Sequence, residues 1–71
     1  MTQEERDKNL MVVYAVEGYA KRHNMREKDT LELFRKYEIT NAIRKYYETL
    51  HTQSLDENIY FAEDLLKGLQ K

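Results

Sequence analysis

Residues 2–23 read TQEERDKNLMVVYAVEGYAKRH, and this stretch decides the fold class. Thr2 followed by Glu5 forms a capping box, in which two side chains satisfy the free amides at a helix start. Acidic residues fill the first turn and basic residues fill the last turn, as the helix dipole favours. Apolar residues recur at helical spacing on one broad face: Leu10, Val13, Tyr14, Val16 and Ala20. We therefore predict that this stretch forms the long central helix of the domain.

Three further helices are predicted from similar signals. Asn24 suits the left-handed conformation that ends a helix. Ile39 and Thr40 have the pattern of a hydrophobic staple and an N-cap, and Ser54 with Glu57 forms a second capping box. The four predicted helices span residues 2–23, 26–37, 41–50 and 54–70.

Length and composition set the limits on this fold. The chain has 71 residues, fewer than the about 100–200 of a typical domain, so we expect one domain over residues 1–71. It contains no proline and only two glycines, which favours helix throughout. We predict an all-α protein, a compact bundle of about four short helices. Because a chain this short buries only about 60% of its unfolded surface, its own core is marginal.

The helical spacing also predicts which side chains are buried. The expected core is Val13, Val16, Ala20, Phe34, Tyr37, Ile43, Leu50, Ile59, Ala62 and Leu66. Other apolar side chains on the first and last helices exceed what one small core can absorb, and we expect them on a surface shared with another chain: Met11, Val12, Tyr19, Phe61, Leu65 and Leu69.

Several classes of function are disfavoured by composition. The absence of cysteine excludes disulfides, zinc–thiolate sites and thiol catalysis, and His23 and His51 are too far apart in sequence to suggest a metal site. We predict no metal and no cofactor. The net charge is −1, and the eight basic and five acidic side chains of residues 20–50 give only +3, which argues against a nucleic-acid partner. The longest apolar run, residues 10–16, is far shorter than the about 20 residues that span a membrane. With an acidic start unlike a signal peptide, we expect a cytoplasmic protein.

Two short motifs resemble a known family. LFRKY at residues 33–37 and YETLHTQ at residues 47–53 are similar to the L-F-x-K-Y and Y-E-x-L-H-T-Q stretches of small bacterial proteins grouped as domain of unknown function 3791. The resemblance covers roughly residues 10–66. Glu38 stands where that family usually has glycine, and Arg26 where it has a serine or threonine N-cap. The family has no established activity. Its members are often encoded beside an ADP-ribosyltransferase-like family, so the resemblance implies a regulatory or antitoxin-like partner role.

The most enzyme-like feature is the spacing of Arg44 and His51. An arginine a few residues before a histidine resembles the motif of small helical ribonucleases, in which arginine holds the phosphate and histidine moves a proton. A structural reading is favoured, because a histidine at a helix C-terminus interacts well with the last carbonyls and the dipole. The candidate partner-binding residues, or the alternative active site, are Arg44, Tyr47, His51, Thr52 and Gln53.

Other readings carry less weight. The six tyrosines could stack on bases, but aromatic residues at helical spacing are more often core. A basic corner at the end of the first helix fits a solvated helix end or an acidic partner: Lys21, Arg22, His23, Arg26 and Lys28. We therefore predict a non-enzyme, a protein–protein interaction module that forms a homo-oligomer or binds a protein partner. A small ribonuclease and a nucleic-acid-binding regulator are the alternatives.

Overall fold

Five helices build the protein in the computed structural model, which describes residues 2–70; the outermost residues of the predicted domain, 1 and 71, lie outside that range. The residues described form no strand, so the all-α prediction is confirmed. The helices are α1 (Gln3–Arg22), α2 (Glu27–Lys36), α3 (Ile39–Lys45), α4 (Tyr47–Leu50) and α5 (Leu55–Leu69).

The helix starts and stops read from the sequence are largely confirmed. The Thr2 hydroxyl accepts a hydrogen bond from the Glu5 amide at 3.1 Å, and the Ser54 hydroxyl accepts one from the Glu57 amide at 3.2 Å. Asn24 adopts a positive φ of 54° and separates α1 from α2. Local capping chemistry therefore fixes both ends of α1 and the start of α5.

The predicted start of the third helix is wrong. Glu38 adopts the left-handed conformation, with φ 58° and ψ 30°, and turns the chain directly into α3. The Ala42 amide donates to the Glu38 carbonyl at 3.1 Å, so Ile39 and Thr40 lie inside the helix instead of before it. Ile39 is fully buried, which explains why the helix begins early.

The predicted third helix is also divided in two at Tyr46. Neither proline nor glycine marks this break in the sequence. The two tyrosines at this break contact different helices. The Tyr46 ring packs edge-on against Phe61 of α5, with centroids 5.9 Å apart, whereas the Tyr47 hydroxyl reaches Asp7 of α1.

Helix α1 is the central helix, as predicted, and packs against α2, α3 and α5. The radius of gyration is 11.4 Å, close to the about 11 Å expected for a compact domain of this length. The predicted core is confirmed at most positions, with Phe34 completely enclosed. The confirmed residues are Val16, Ala20, Phe34, Ile43, Leu50, Ile59, Ala62 and Leu66.

The prediction was wrong about which face of α1 is buried. Val13 is 46% exposed, and Tyr37 of the predicted core is only partly buried. The buried face consists of Val12, Ala15, Val16, Tyr19 and Ala20. Because apolar residues surround α1 between residues 10 and 16, periodicity alone does not select the buried side.

The prediction that six further apolar residues lie on a shared surface was also wrong for most of them. Val12 and Tyr19 are core, and Met11, Phe61 and Leu65 are partly buried against it. Leu69 alone of that set is exposed, as expected. The apolar residues left outside the core are Leu10, Val13, Tyr14, Tyr46, Leu55, Tyr60 and Leu69.

Candidate functional site

Two of the predicted site residues, Arg44 and Tyr47, line a polar cavity of about 310 Å³ between α1 and the α3–α4 segment. Arg44 lies in the last turn of α3, and Lys45 beside it also lines the cavity. On the α1 side, Lys8 forms an ion pair with Glu4 at 3.5 Å. The cavity is therefore mixed in charge, with basic and acidic side chains on its wall.

The other three predicted site residues end α4 and do not line this cavity. His51 stacks on the Tyr47 ring, with centroids 5.0 Å apart and an interplanar angle of 25°. The Thr52 hydroxyl donates to the Thr49 carbonyl at 2.7 Å, and the Gln53 amide donates to the Leu50 carbonyl at 3.1 Å. The structure thus brings Arg44 and Tyr47 together and leaves His51, Thr52 and Gln53 at the helix end.

Tyr47 connects the α4 segment to the start of α1. Its hydroxyl donates to the Asp7 carboxylate at 3.5 Å, and the Lys8 ammonium lies 6.0 Å from its ring centroid. Burial raises the pKa of the Tyr47 phenol, and the negative charge of Asp7 raises it further. Tyr47 is consequently a neutral hydrogen-bond donor at physiological pH.

A second surface, on the outer face of α1, was not identified correctly from the sequence. Leu10, Val13 and Tyr14 are 43%, 46% and 51% exposed, and we call these three side chains the α1 ridge. Val13 and Tyr14 follow Leu10 by three and four positions, so all three side chains lie on the face of the helix opposite the core. Of the three, Val13 was predicted to be core, and Leu10 and Tyr14 were placed with it on one broad apolar face.

An apolar groove lies between the ridge and α5. It has a volume of about 280 Å³ and is lined by Asp7, Leu10, Met11, Tyr14, Leu55 and Asn58. Asn58 is 7% exposed, and its side-chain oxygen is buried with no hydrogen-bond partner among residues 2–70. We call this space the α1–α5 groove. Its apolar walls adjoin Asn58, whose side-chain oxygen is itself closed to solvent and has no partner among the described residues.

A second apolar groove lies on the other side of the ridge, between α1 and α2. It has a volume of about 230 Å³, and Val13 and Leu31 contribute to its apolar wall. Glu17 and Glu27 lie on its rim together with Lys28. The α1 ridge is thus flanked on both sides by concave apolar surface, an arrangement that receives side chains of a packed helix.

Three of the five residues in the basic corner at the end of α1 pair with carboxylates of the chain. Glu63 of α5 accepts from Arg22 at 3.2 Å and contacts His23 at 2.5 Å, while Arg26 pairs with Asp29 at 3.1 Å. The His23 ring also stacks on Tyr19, with centroids 4.1 Å apart. The role of Glu63 was not predicted, because Glu63 lies 40 residues from His23 and no local sequence pattern joins the two.

Residues 2–70 contain neither a cluster suited to a metal ion nor a membrane-crossing helix. No group of three or more histidine, cysteine or carboxylate side chains is placed to hold a metal ion. No helix in this part of the chain has the length and apolar character needed to cross a membrane.

One family model matches the chain. It is described as Protein of unknown function (DUF3791), and the match covers residues 10–68. This is the family whose motifs the two short segments resemble. No curated protein and no solved structure matches.

Proposed function

The chain belongs to the family Protein of unknown function (DUF3791), and we propose that it is a non-catalytic protein–protein interaction module that binds through the α1 ridge. The observation that carries this proposal is the exposure of Leu10, Val13 and Tyr14 on the central helix. A contiguous apolar surface rimmed by charged residues marks an interaction site more often than scattered apolar residues do.

The two grooves strengthen the proposal. Their walls are mostly apolar and preformed, so an apolar side chain entering either groove buries apolar surface. Burying apolar surface contributes about 25 cal/mol per Å². Hence a partner that fills both grooves gains more than one that covers the ridge alone.

Asn58 adds a polar element to this binding surface. A buried carbonyl oxygen without a partner costs about 1–3 kcal/mol. The Asn58 oxygen is closed to solvent, so a partner's hydroxyl or amide donor in the α1–α5 groove would remove this cost only if the Asn58 side chain turned toward the groove. Such a donor gives the site specificity in addition to apolar affinity.

No catalytic role is proposed for Arg44 and His51. His51 does not line the cavity that contains Arg44, and its ring is stacked on Tyr47 at the end of α4. A ribonuclease of the kind considered above needs both side chains at one phosphate. The carboxylates Glu4 and Glu48 on the cavity wall also oppose a nucleic-acid backbone.

Replacing the ridge tests the proposal. The double variant Leu10→Glu/Val13→Glu places two charges on the exposed face while leaving the core unchanged, so we expect it to fold and lose association. Leu69→Glu is the matched control, because Leu69 is 53% exposed but lines neither groove. The readout is mass by light scattering, for the protein alone and after co-expression with the ADP-ribosyltransferase-like protein that the family resemblance implies.

We expect the wild type and Leu69→Glu to form a complex in at least one of these two measurements, and the double variant to form none. If the double variant keeps every complex of the wild type, the α1 ridge is not the binding surface. Helical circular dichroism and thermal unfolding must match across all three proteins, so that loss of binding is separated from loss of fold.

A further inference from the structure

On the outer face of α1, Arg6 lies one turn before the ridge and Glu17 one turn after it, with Asp7 beside Arg6 and Lys21 one turn beyond Glu17. Arg6 and Glu17 are both exposed, and neither forms an ion pair among residues 2–70. With Leu10 and Val13 between them, they follow the spacing of a single helix face. The face therefore reads basic, apolar, apolar, acidic along the helix axis.

From this charge order we propose that the partner of the α1 ridge is a second copy of the chain, packed with its α1 antiparallel. The inference rests on the proposed function, since it uses the same surface. In an antiparallel pair with matched centres, Arg6 lies opposite Glu17 of the second copy, and Leu10 lies opposite Val13. Two-fold symmetry makes each contact occur twice.

The charge order discriminates between the possible arrangements. A parallel pair of α1 helices places Arg6 opposite Arg6 and Glu17 opposite Glu17, so like charges meet at both ends. The antiparallel pair places an ion pair at each end of the apolar strip. Like charges held together are destabilising, whereas complementary charges fix the register.

The length of the strip fits one helix-on-helix contact. Glu17 is eleven positions after Arg6, a distance of about 16 Å along the helix axis at 1.5 Å per residue. Helices that pack closely have axes about 8–10 Å apart, close enough for the apolar side chains of the strip to touch. A self-complementary face of this kind also adds core to a chain that is short for an independent domain.

Cysteine trapping gives the sharpest test, because the chain contains no cysteine of its own. Arg6→Cys and Glu17→Cys proteins are prepared separately, mixed, and oxidised with a mild catalyst. The antiparallel pair predicts a disulfide between the two different variants. It predicts little disulfide in either variant alone, because like positions lie about 16 Å apart along the axis.

Charge reversal gives an independent measurement on proteins without cysteine. Arg6→Glu and Glu17→Arg each place like charges at both ends of the pair, and we expect each to weaken self-association about tenfold in sedimentation equilibrium. The double reversal restores opposite charges and should recover most of the wild-type affinity. Glu32→Arg is the control, because Glu32 is exposed on α2 outside both grooves.

The outcomes separate this inference from the proposed function. A wild-type protein that stays monomeric at high micromolar concentration overturns the second copy, while ridge-dependent binding of another protein still supports the proposed function. Disulfides that form between two copies of the same variant, and not between the two different variants, overturn the antiparallel arrangement. A dimer that Leu10→Glu/Val13→Glu leaves intact overturns both proposals.

Discussion

Gly18 of α1 lies directly against Ile59 of α5, and this contact sets how closely the two helices approach. A methyl group on Gly18 would overlap the Ile59 Cδ1 atom and lie 3.1 Å from its Cγ1 atom. Ile59 is buried, so its side chain has little space into which it can move. Glycine is unfavourable inside a helix, and this contact supplies the physical reason for its presence in α1.

We expect Gly18→Ala and Gly68→Ala to differ in sign. No atom lies within 4 Å of the space that a Cβ at Gly68 would occupy, so Gly68→Ala should gain up to about 1 kcal/mol from helix propensity. Gly18→Ala should lower the melting temperature because the overlap with Ile59 outweighs the same gain. The melting temperatures are measured by circular dichroism. Equal stabilisation by both variants would show that the Ile59 side chain moves aside at little cost.

Glu38→Gly should stabilise the protein. Glu38 holds a positive φ of 58° at the α2–α3 junction, where an ordinary side chain costs about 1–2 kcal/mol and glycine costs none. Glycine has more conformational entropy in the unfolded chain, which offsets part of this gain. We therefore expect the free energy of unfolding, measured by chemical denaturation, to rise by about 1 kcal/mol. Glu38→Ala removes the same carboxylate but keeps a Cβ, so it should show no such gain.

Phe34→Ala should unfold or nearly unfold the domain. Phe34 is 0% exposed and its ring packs edge-on against Tyr19, with centroids 5.3 Å apart. Removing a buried phenylalanine costs about 3–5 kcal/mol, a large part of the stability of a small domain. Val13→Ala is the control, since Val13 is half exposed and its loss should shift the denaturation midpoint little. A midpoint for Phe34→Ala within error of the wild type would contradict the packing described above.

Asn58→Leu should stabilise the free protein and weaken its association. The variant removes the buried oxygen that has no partner among the described residues, and the adjoining α1–α5 groove has space for the larger side chain. We expect a higher melting temperature for the free protein, because an unsatisfied buried polar group costs about 1–3 kcal/mol. The same variant should associate more weakly if a donor from the partner uses this oxygen. Unchanged association would remove Asn58 from the proposed interface.

Alkaline pH should destabilise the fold through Tyr19. Burial raises the pKa of the Tyr19 phenol above its ordinary value of 10.0, and the Glu63 carboxylate raises it further. The folded state therefore keeps this proton at a pH at which the unfolded state has released it. Stability from this group is fully present below about pH 10 and falls as the pH rises toward the folded pKa. Tyr19→Phe should reduce that alkaline loss, measured by denaturation at several pH values, whereas Tyr14→Phe should retain it.

The helical class, the N-caps at Thr2 and Ser54 and the stop at Asn24 followed from the sequence, because each depends on contacts within a few residues. Three of the four buried residues of α5, Ile59, Ala62 and Leu66, were also predicted, because they recur at helical spacing, whereas buried Asn58 was not. In these segments the local pattern and the final packing agree, so periodicity is sufficient.

The tertiary structure alone decided which side of α1 is buried, because that helix is apolar on every face between residues 10 and 16. It also set the left-handed turn at Glu38, which leads directly into the helix that buries Ile39. It placed the break at Tyr46, where Tyr46 and Tyr47 contact different helices. It also separated His51 from the cavity of Arg44 and joined His23 to Glu63. Each of these depends on residues distant in sequence, whose relative positions are set only when the helices pack around α1.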